Sequence, residues 1–235
     1  AYSGPSAEMF NYAGQSKRFK SDLAGIYRTL WRNSIPQDMV TPRMDWSRYK
    51  AVYLPNFAVL DKVAIKRIRA VLQECPQTHI IADGHFGTFA GKGHWSFHPP
   101  EGLDDLVSVR IADSEWITAR DIREGRNVLI TEYGEFAVAS ECGYSILAPR
   151  GDTRPIATLN GEVVAVESMG RRLTWWGLSL SGAFGGVGPE KLILPLFASH
   201  RVGSPFSIAG ARLVAFRRTS KQGGSLIFLF NLEPH

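Results

Sequence analysis

At 235 residues, with 44% hydrophobic and 21% charged side chains, the chain can bury a real core as one domain, or one domain plus a small appendage, and is not disordered by composition. No apolar run approaches the roughly 20 residues needed to span a bilayer, so a soluble protein without a membrane partner is expected. The net charge of +5 invites a nucleic-acid partner, but the basic residues are scattered as Lys17-Arg18, Lys66-Arg67, Arg171-Arg172 and Arg217-Arg218 among apolar positions, without any RNP-like, zinc-finger or helix-turn-helix signature, and no nucleic acid is expected.

In chain order, "AYSG" resembles the tail of a strand cut from something longer. Phe19, Leu23, Ile26, Tyr27, Leu30 and Trp31 then repeat at intervals of three and four, as one buried helix face requires. Ser21 and Asp22 are candidate start signals, and the helix is predicted to end near Asn33, before Pro36. "QDMV" (Gln37 to Val40) is predicted as a short strand, followed by a polar loop with Trp46 and Tyr49. "AVYLP" (Ala51 to Pro55) is a near-continuous apolar strand. Asp61 is a predicted N-cap for a helix burying Ala64, Ile65, Ile68, Val71 and Leu72 and ending before Pro76. "THIIAD" (Thr78 to Asp83) is the next apolar strand. This alternation predicts an α/β open sheet of mostly parallel strands covered on both faces. In such sheets sites lie beyond the carboxyl ends of strands, which selects the loops "NFAVLD" and "GHFGTFAGKGHW".

The second half changes character. "EGLDDLVSVRIAD" predicts a helical turn and then a strand through Val109 and Ile111. "NVLIT", "FAVAS", "PIATL", "EVVAVES" and "RLTWWGL" are short β-like runs, with a hairpin at Asn160-Gly161 and another turn at Met169-Gly170. Pro189 opens a helix carrying Leu192, Ile193, Leu196 and Phe197 that closes around Gly203. "ARLVAFRR" and "SLIFLFN" flank Gly223-Gly224 as a β-hairpin, too small to stand alone in water. Residues 1–204 are therefore expected as the main domain and 205–235 as a hairpin that begins a small C-terminal β domain.

The stretch from Asp83 to His98 has the most functional character. His94 and His98 have a metal-ligand spacing, but "GKGHWSFHPP" is rich in Gly and Pro and does not suggest a helix, so no metal and no cofactor are expected. Gly84, Gly87, Gly91 and Gly93 fit neither a phosphate loop nor GxGxxG. Cys75 and Cys142 form no CxxC pair and sit at no strand-to-helix elbow; two reduced thiols in a cytoplasmic protein is the expectation. Glu132 and Glu135 could be imagined as an acid/base pair, but nothing brings them over a pocket, and surface carboxylates are expected. No catalytic residue is assigned.

"GIYRTLWRNSIPQDMVTPRMDWSRYKAVYLPNFAVLD" resembles the middle domain of glycoside hydrolase family 42 β-galactosidases. Ile26, Tyr27, Arg28, Leu30, Ile35, Pro36, Asp38, Val40, Asp45, Tyr49, Lys50, Val52, Pro55, Leu60 and Asp61 carry the match. "PPEGLDDLVSVRIAD" and "GEVVAVESMGRRLTWWGL" are similar to later segments of that domain, and "LVAFRRTSKQGGSLIFLFNLE" looks like the start of the family's small C-terminal β domain. The resemblance implies a flavodoxin-like fold, related to class I glutamine amidotransferases, that serves as a trimerisation domain. It also implies catalytic glutamates in an N-terminal barrel outside this chain, and a role in carbohydrate metabolism. In amidotransferase relatives a nucleophilic Cys follows the strand matching "HIIAD"; Asp83 and Gly84 stand there, so that chemistry is expected to be absent.

The leading expectation is a non-catalytic homo-oligomerisation domain, trimeric by resemblance and partnered by that barrel. Large rings in expected loops, Trp46, Phe57, Phe89, Trp95 and Phe97, are the candidate interface. The alternatives are a stand-alone sugar- or metabolite-binding module, with a candidate crevice at Asn56, Asp83 and His85, and a divergent amidotransferase-like enzyme.

Overall fold

The computed structural model describes residues 1–89, 95–96, 100, 102–168, 170, 172–185, 189–206, 213–219 and 223–231. Residues 1–3, in the expected strand tail, form no strand; helix α1 (Gly4–Tyr12) follows them, capped by the Ser3 hydroxyl accepting from Ser6 N at 3.2 Å, with a proline in its first turn. Helix α2 (Ser16–Arg32) starts earlier than Ser21 and Asp22 suggest and has no side-chain cap. Asp22 is instead buried on its inner face. Gln37 to Val40 forms no strand; Val40 accepts a single bond from Tyr2 N at 2.8 Å, and one bond makes no ladder.

Strand β1 (Ala51–Pro55), helix α3 (Lys62–Glu74) and strand β2 (His79–Asp83) form as the pattern predicts. Asp61 Oδ1 accepts from Ala64 N at 2.7 Å to start α3. Its buried side chains Ile68, Val71 and Leu72 contribute roughly 1.5–3 kcal/mol each through removal from water. Next come β3 (Val109–Ile117), the short α4 (Ala119–Arg123), β4 (Val128–Thr131), β5 (Gly134–Ala137), β6 (Cys142–Pro149), β7 (Arg154–Leu159), β8 (Glu162–Ser168) and β9 (Leu173–Trp176). A 3-10 turn (Gly182–Phe184), α5 (Glu190–Ser199), β10 (Leu213–Thr219) and β11 (Ser225–Asn231) complete the described elements.

The expectation of mostly parallel strands is corrected. The seven-stranded sheet runs β1-β2-β9-β8-β7-β4-β5, and within it only β1/β2 and β2/β9 are parallel; the other four neighbouring pairs are antiparallel. The cause is loop length. Asn160 and Gly161, with φ of +54° and +84°, join β7 to β8, and a link this short can only reverse the chain. The architecture is therefore α/β with a mixed, mainly antiparallel sheet.

Two two-stranded antiparallel sheets accompany it, β3-β6 and the C-terminal hairpin β10-β11. Strand β6 lies against the main sheet where Ser145 N bonds Gly177 O at 2.7 Å. A Cβ on Gly177 would sit 2.2 Å from Ser145 O, so only glycine permits that approach. The core has two apolar clusters. One packs Ile26 and Leu30 of α2 with Leu192 and Leu196 of α5 against Ile81 and Trp176; the other packs α3 against Leu54, Ile80, Ala82 and Trp175. Helices thus cover both faces of the β1-β2-β9 part and leave the carboxyl ends of β1 and β2 side by side.

Candidate functional site

Those two strand ends carry a buried polar cluster. Pro55 and Asp83 are register partners, closing β1 and β2. The next residue on the first strand, Asn56, turns the chain with φ of +45°, a left-handed conformation that asparagine tolerates better than most residues. Asn56 N donates to Asp83 Oδ1 at 3.0 Å, and Asn56 Nδ2 donates to Asp22 Oδ2 on α2 at 2.6 Å. His85 N donates to Asn56 Oδ1 at 3.3 Å. Asp83 Oδ2 accepts from Leu180 N at 2.7 Å and from the Tyr53 hydroxyl. Asn56 therefore ties α2 to both strand ends, and Asp83 adds the segment after β9.

The electrostatics follow from burial. Asp83 has no exposed surface and Asp22 almost none. Burial is the main force raising Asp83 to a pKa of about 7; the charge of Asp22 adds to it, while the donors Tyr53, Leu180 and Asn56 oppose it. Burial likewise raises Asp22 to about 6, against Arg18, Ser179 and Asn56. The Tyr53 phenol is pushed well above its ordinary value by burial and the neighbouring Asp83. His85 is lowered by burial and by Arg18. Asp22 Oδ1 accepts no hydrogen bond among the described residues.

The fold thus brings Asn56, Asp83 and His85 together, as the sequence suggested, but as a closed network. Both oxygens of Asp83 are taken by donors and its surface is zero, while His85 is half-buried. Sequence reasoning missed Asp22 and Tyr53; their signal was a lone Asp on an apolar helix face and a Tyr inside an apolar strand.

The aromatic candidates divide. Trp46 and Phe57 are completely buried in this chain's own core, where loops fold their rings inward, so they present no surface to a partner. Phe89 is half-buried and meets the half-exposed Trp95 edge-to-face at 5.4 Å. Phe97 lies outside the described residues, as do His94 and His98. Among the described residues there is no group of three His, Cys, Asp or Glu placed to hold a metal. Glu132 and Glu135 flank the β4-β5 turn in solvent, and Glu132 faces Arg154 at 3.7 Å.

The segment from α1 through α3, which contributes Asp22, Tyr53 and Asn56 to this cluster, is also the part with a recognisable sequence family. Residues 6–75 match the β-galactosidase trimerisation domain. Over 100 residues, 40% of this chain, the sequence is 27% identical to β-galactosidase GanA of Bacillus subtilis (strain 168), covering 15% of that protein. The fold is similar to that of the β-galactosidase from Bacillus circulans sp. alkalophilus, with a TM-score of 0.71 and 16% identity over 91% of this chain and 31% of that one. The β-galactosidase from Rahnella sp. R3 gives 0.67 and 17% over 89% and 31%. Gan42B, a family 42 β-galactosidase from G. stearothermophilus, gives 0.66 and 15% over 86% and 29%. The likeness of fold thus extends across most of the chain, while the chain spans less than a third of each of these relatives. The described strands form open sheets, not a (β/α)₈ barrel. Among the described residues no helix is long and apolar enough to cross a membrane.

Proposed function

We propose that this chain is a non-catalytic, assembly-forming domain of a β-galactosidase-like glycoside hydrolase, acting beside a catalytic barrel and associating with further copies of itself as a trimer. The observation that carries this reading is the trimerisation-domain match at residues 6–75, joined to a fold likeness that continues through the rest of the chain. Support comes from the chemistry of the carboxylates. A retaining glycosidase needs two accessible carboxyl groups roughly 5 Å apart; Asp22 and Asp83 are sealed in the core, and Glu132 and Glu135 stand in solvent. Exposed Tyr12, Tyr27, Met39 and Met44 in the matched segment supply apolar surface for association.

Within the chain, residues 1–204 form the assembly domain and 205–235 begin a second β unit. The latter division is supported by β11, whose seven residues are all exposed although five of them are large and apolar, as befits a strand awaiting cover. The two free cysteines, Cys142 buried and Cys75 half-buried, fit a reducing, cytoplasmic setting.

Sedimentation equilibrium across a concentration series, run alongside a chromogenic β-galactoside assay, tests the reading. A species of three times the monomer mass and no turnover are expected. Turnover abolished by Glu132→Gln or Glu135→Gln would overturn the non-catalytic role, and a monomer at every concentration would remove the assembly role.

A further inference from the structure

The opposite end of the sheet, at the amino-terminal ends of β1, β2 and β9, holds a cleft of about 490 Å³. Its positive charges converge from separate elements: Lys50 before β1, Arg154 at the start of β7, Arg172 before β9 and Arg201 after α5. Among the described residues, only Arg154 is neutralised by carboxylates. It bonds Glu167 at 2.6 Å and faces Glu132 at 3.7 Å, which uses both carboxylates of the cleft. Lys50 Nζ donates to a carbonyl, Arg201 O, at 3.1 Å. The Arg172 guanidinium donates to the carbonyls of Val71 and Leu72 at the end of α3. These carbonyls hold the cations in place without cancelling their charge. His79 and His200 line the same cleft with ring centroids 4.5 Å apart. Among the described residues, the lysine, arginines and glutamates of the cleft leave two positive charges in excess.

We infer that this cleft is a binding site for a phosphoryl oxyanion, either free phosphate or the phosphate of a phosphorylated sugar. A phosphate dianion matches the excess charge. Guanidinium and ammonium donors arriving from different directions suit its tetrahedral oxygens. The volume leaves room for a monosaccharide beyond the phosphate, with Gln77 and Ser199 on the lining. Two excess charges in a concave site also concentrate anions there. This inference does not depend on the assembly reading, because the cleft lies wholly within one chain.

Isothermal titration calorimetry of the 235-residue chain at low ionic strength, using inorganic phosphate, a hexose 6-phosphate and the neutral hexose, tests it. At least one of the two phosphates should bind, and the neutral hexose should not. Binding by free phosphate, or by the hexose 6-phosphate alone, identifies the source. Lys50→Gln with Arg201→Gln, two exposed positions, should weaken binding by about tenfold or more, since each removes a charge-assisted contact. Glu132→Gln should strengthen it, a gain that partial unfolding cannot imitate. Absence of binding by both phosphates, affinities unmoved by these substitutions, or equal binding of the neutral hexose would overturn the inference.

Discussion

Gly84→Ala should be among the most damaging single-methyl additions to this chain. Gly84 has φ of +60°, and a Cβ built there falls 1.9 Å from Asn56 Oδ1. A non-glycine residue in that conformation costs roughly 1–2 kcal/mol. Displacing Asn56 costs more, because its side chain bonds Asp22 and accepts from His85 N. Each buried partner left unsatisfied costs roughly 1–3 kcal/mol. The total is about 3–8 kcal/mol, which with a urea slope of roughly 2 kcal/mol/M lowers the unfolding midpoint by about 1.5–4 M. Gly14→Ala supplies the control: its φ is +72°, but nothing lies within 4 Å of the added carbon, so it should show only the backbone strain. In an Asn56→Gly background the extra cost of Gly84→Ala should vanish, because the clashing atom is gone. Equal midpoints for Gly84→Ala and Gly14→Ala would refute the account of Asn56 as the clasp of the cluster.

The pH dependence has a defined sign. Asp83 is raised to about 7, so the folded chain binds its proton more tightly than the unfolded one. The stability lent by that proton is full below about pH 4 and is lost as pH rises through 7. Urea midpoints from pH 4 to 8 should therefore show the deficit of Asp83→Asn shrinking with rising pH, and a growing deficit would contradict this. His200, lowered to about 4 by burial and by His79, acts in the opposite sense: its contribution is present above about pH 6.5 and is lost as pH falls towards 4, a slope that His200→Gln should abolish. Cys142 is buried, with its thiol pushed up to about 11. A thiol reagent at neutral pH should thus label one equivalent, Cys75, in the native chain and a second only after unfolding. Trp46→Ala should destabilise by roughly 3–5 kcal/mol, as loss of a buried ring does, whereas Trp95→Ala should change the urea midpoint little.

Local signals were readable where one residue does one local job. Asp61 announced α3 because its carboxylate caps a nearby amide, and Asn160-Gly161 announced a hairpin because both residues accept positive φ. The direction of the sheet was obscured by the opening helix-strand-helix-strand order, which suggests parallel pairing throughout. The two-residue loops of the second half carried the correction, but each looks local and its effect on the whole sheet is not. Strand β6, "CGYSILAP", was hidden because Gly143 and Ser145 interrupt its apolar run. Asn56, Asp83 and His85 could be nominated from strand ends alone. Asp22 could not, since its partner lies 34 positions away and on a helix face an aspartate reads as a solvent group. Trp46 and Phe57 misled for a related reason: irregular backbone does not reveal which way a large ring turns.

The junction between β2 and β9 has a consequence for how the polypeptide is made. Ile80 to Asp83 pair with Leu173 to Trp176, so β2 leaves the ribosome long before its second neighbour exists. At synthesis rates of about 5–20 residues per second, the delay is on the order of ten seconds. Throughout it, Ile80, Ile81 and Ala82 stand on an unpaired strand edge, and the Leu180 amide that will engage Asp83 has not yet been made. Closing so long a loop also sets a high entropic barrier before any contact rewards it. The nascent α1-to-β2 unit therefore waits with an open apolar margin, and it is in that interval, before the sheet is sealed, that this chain most needs protection from other nascent chains.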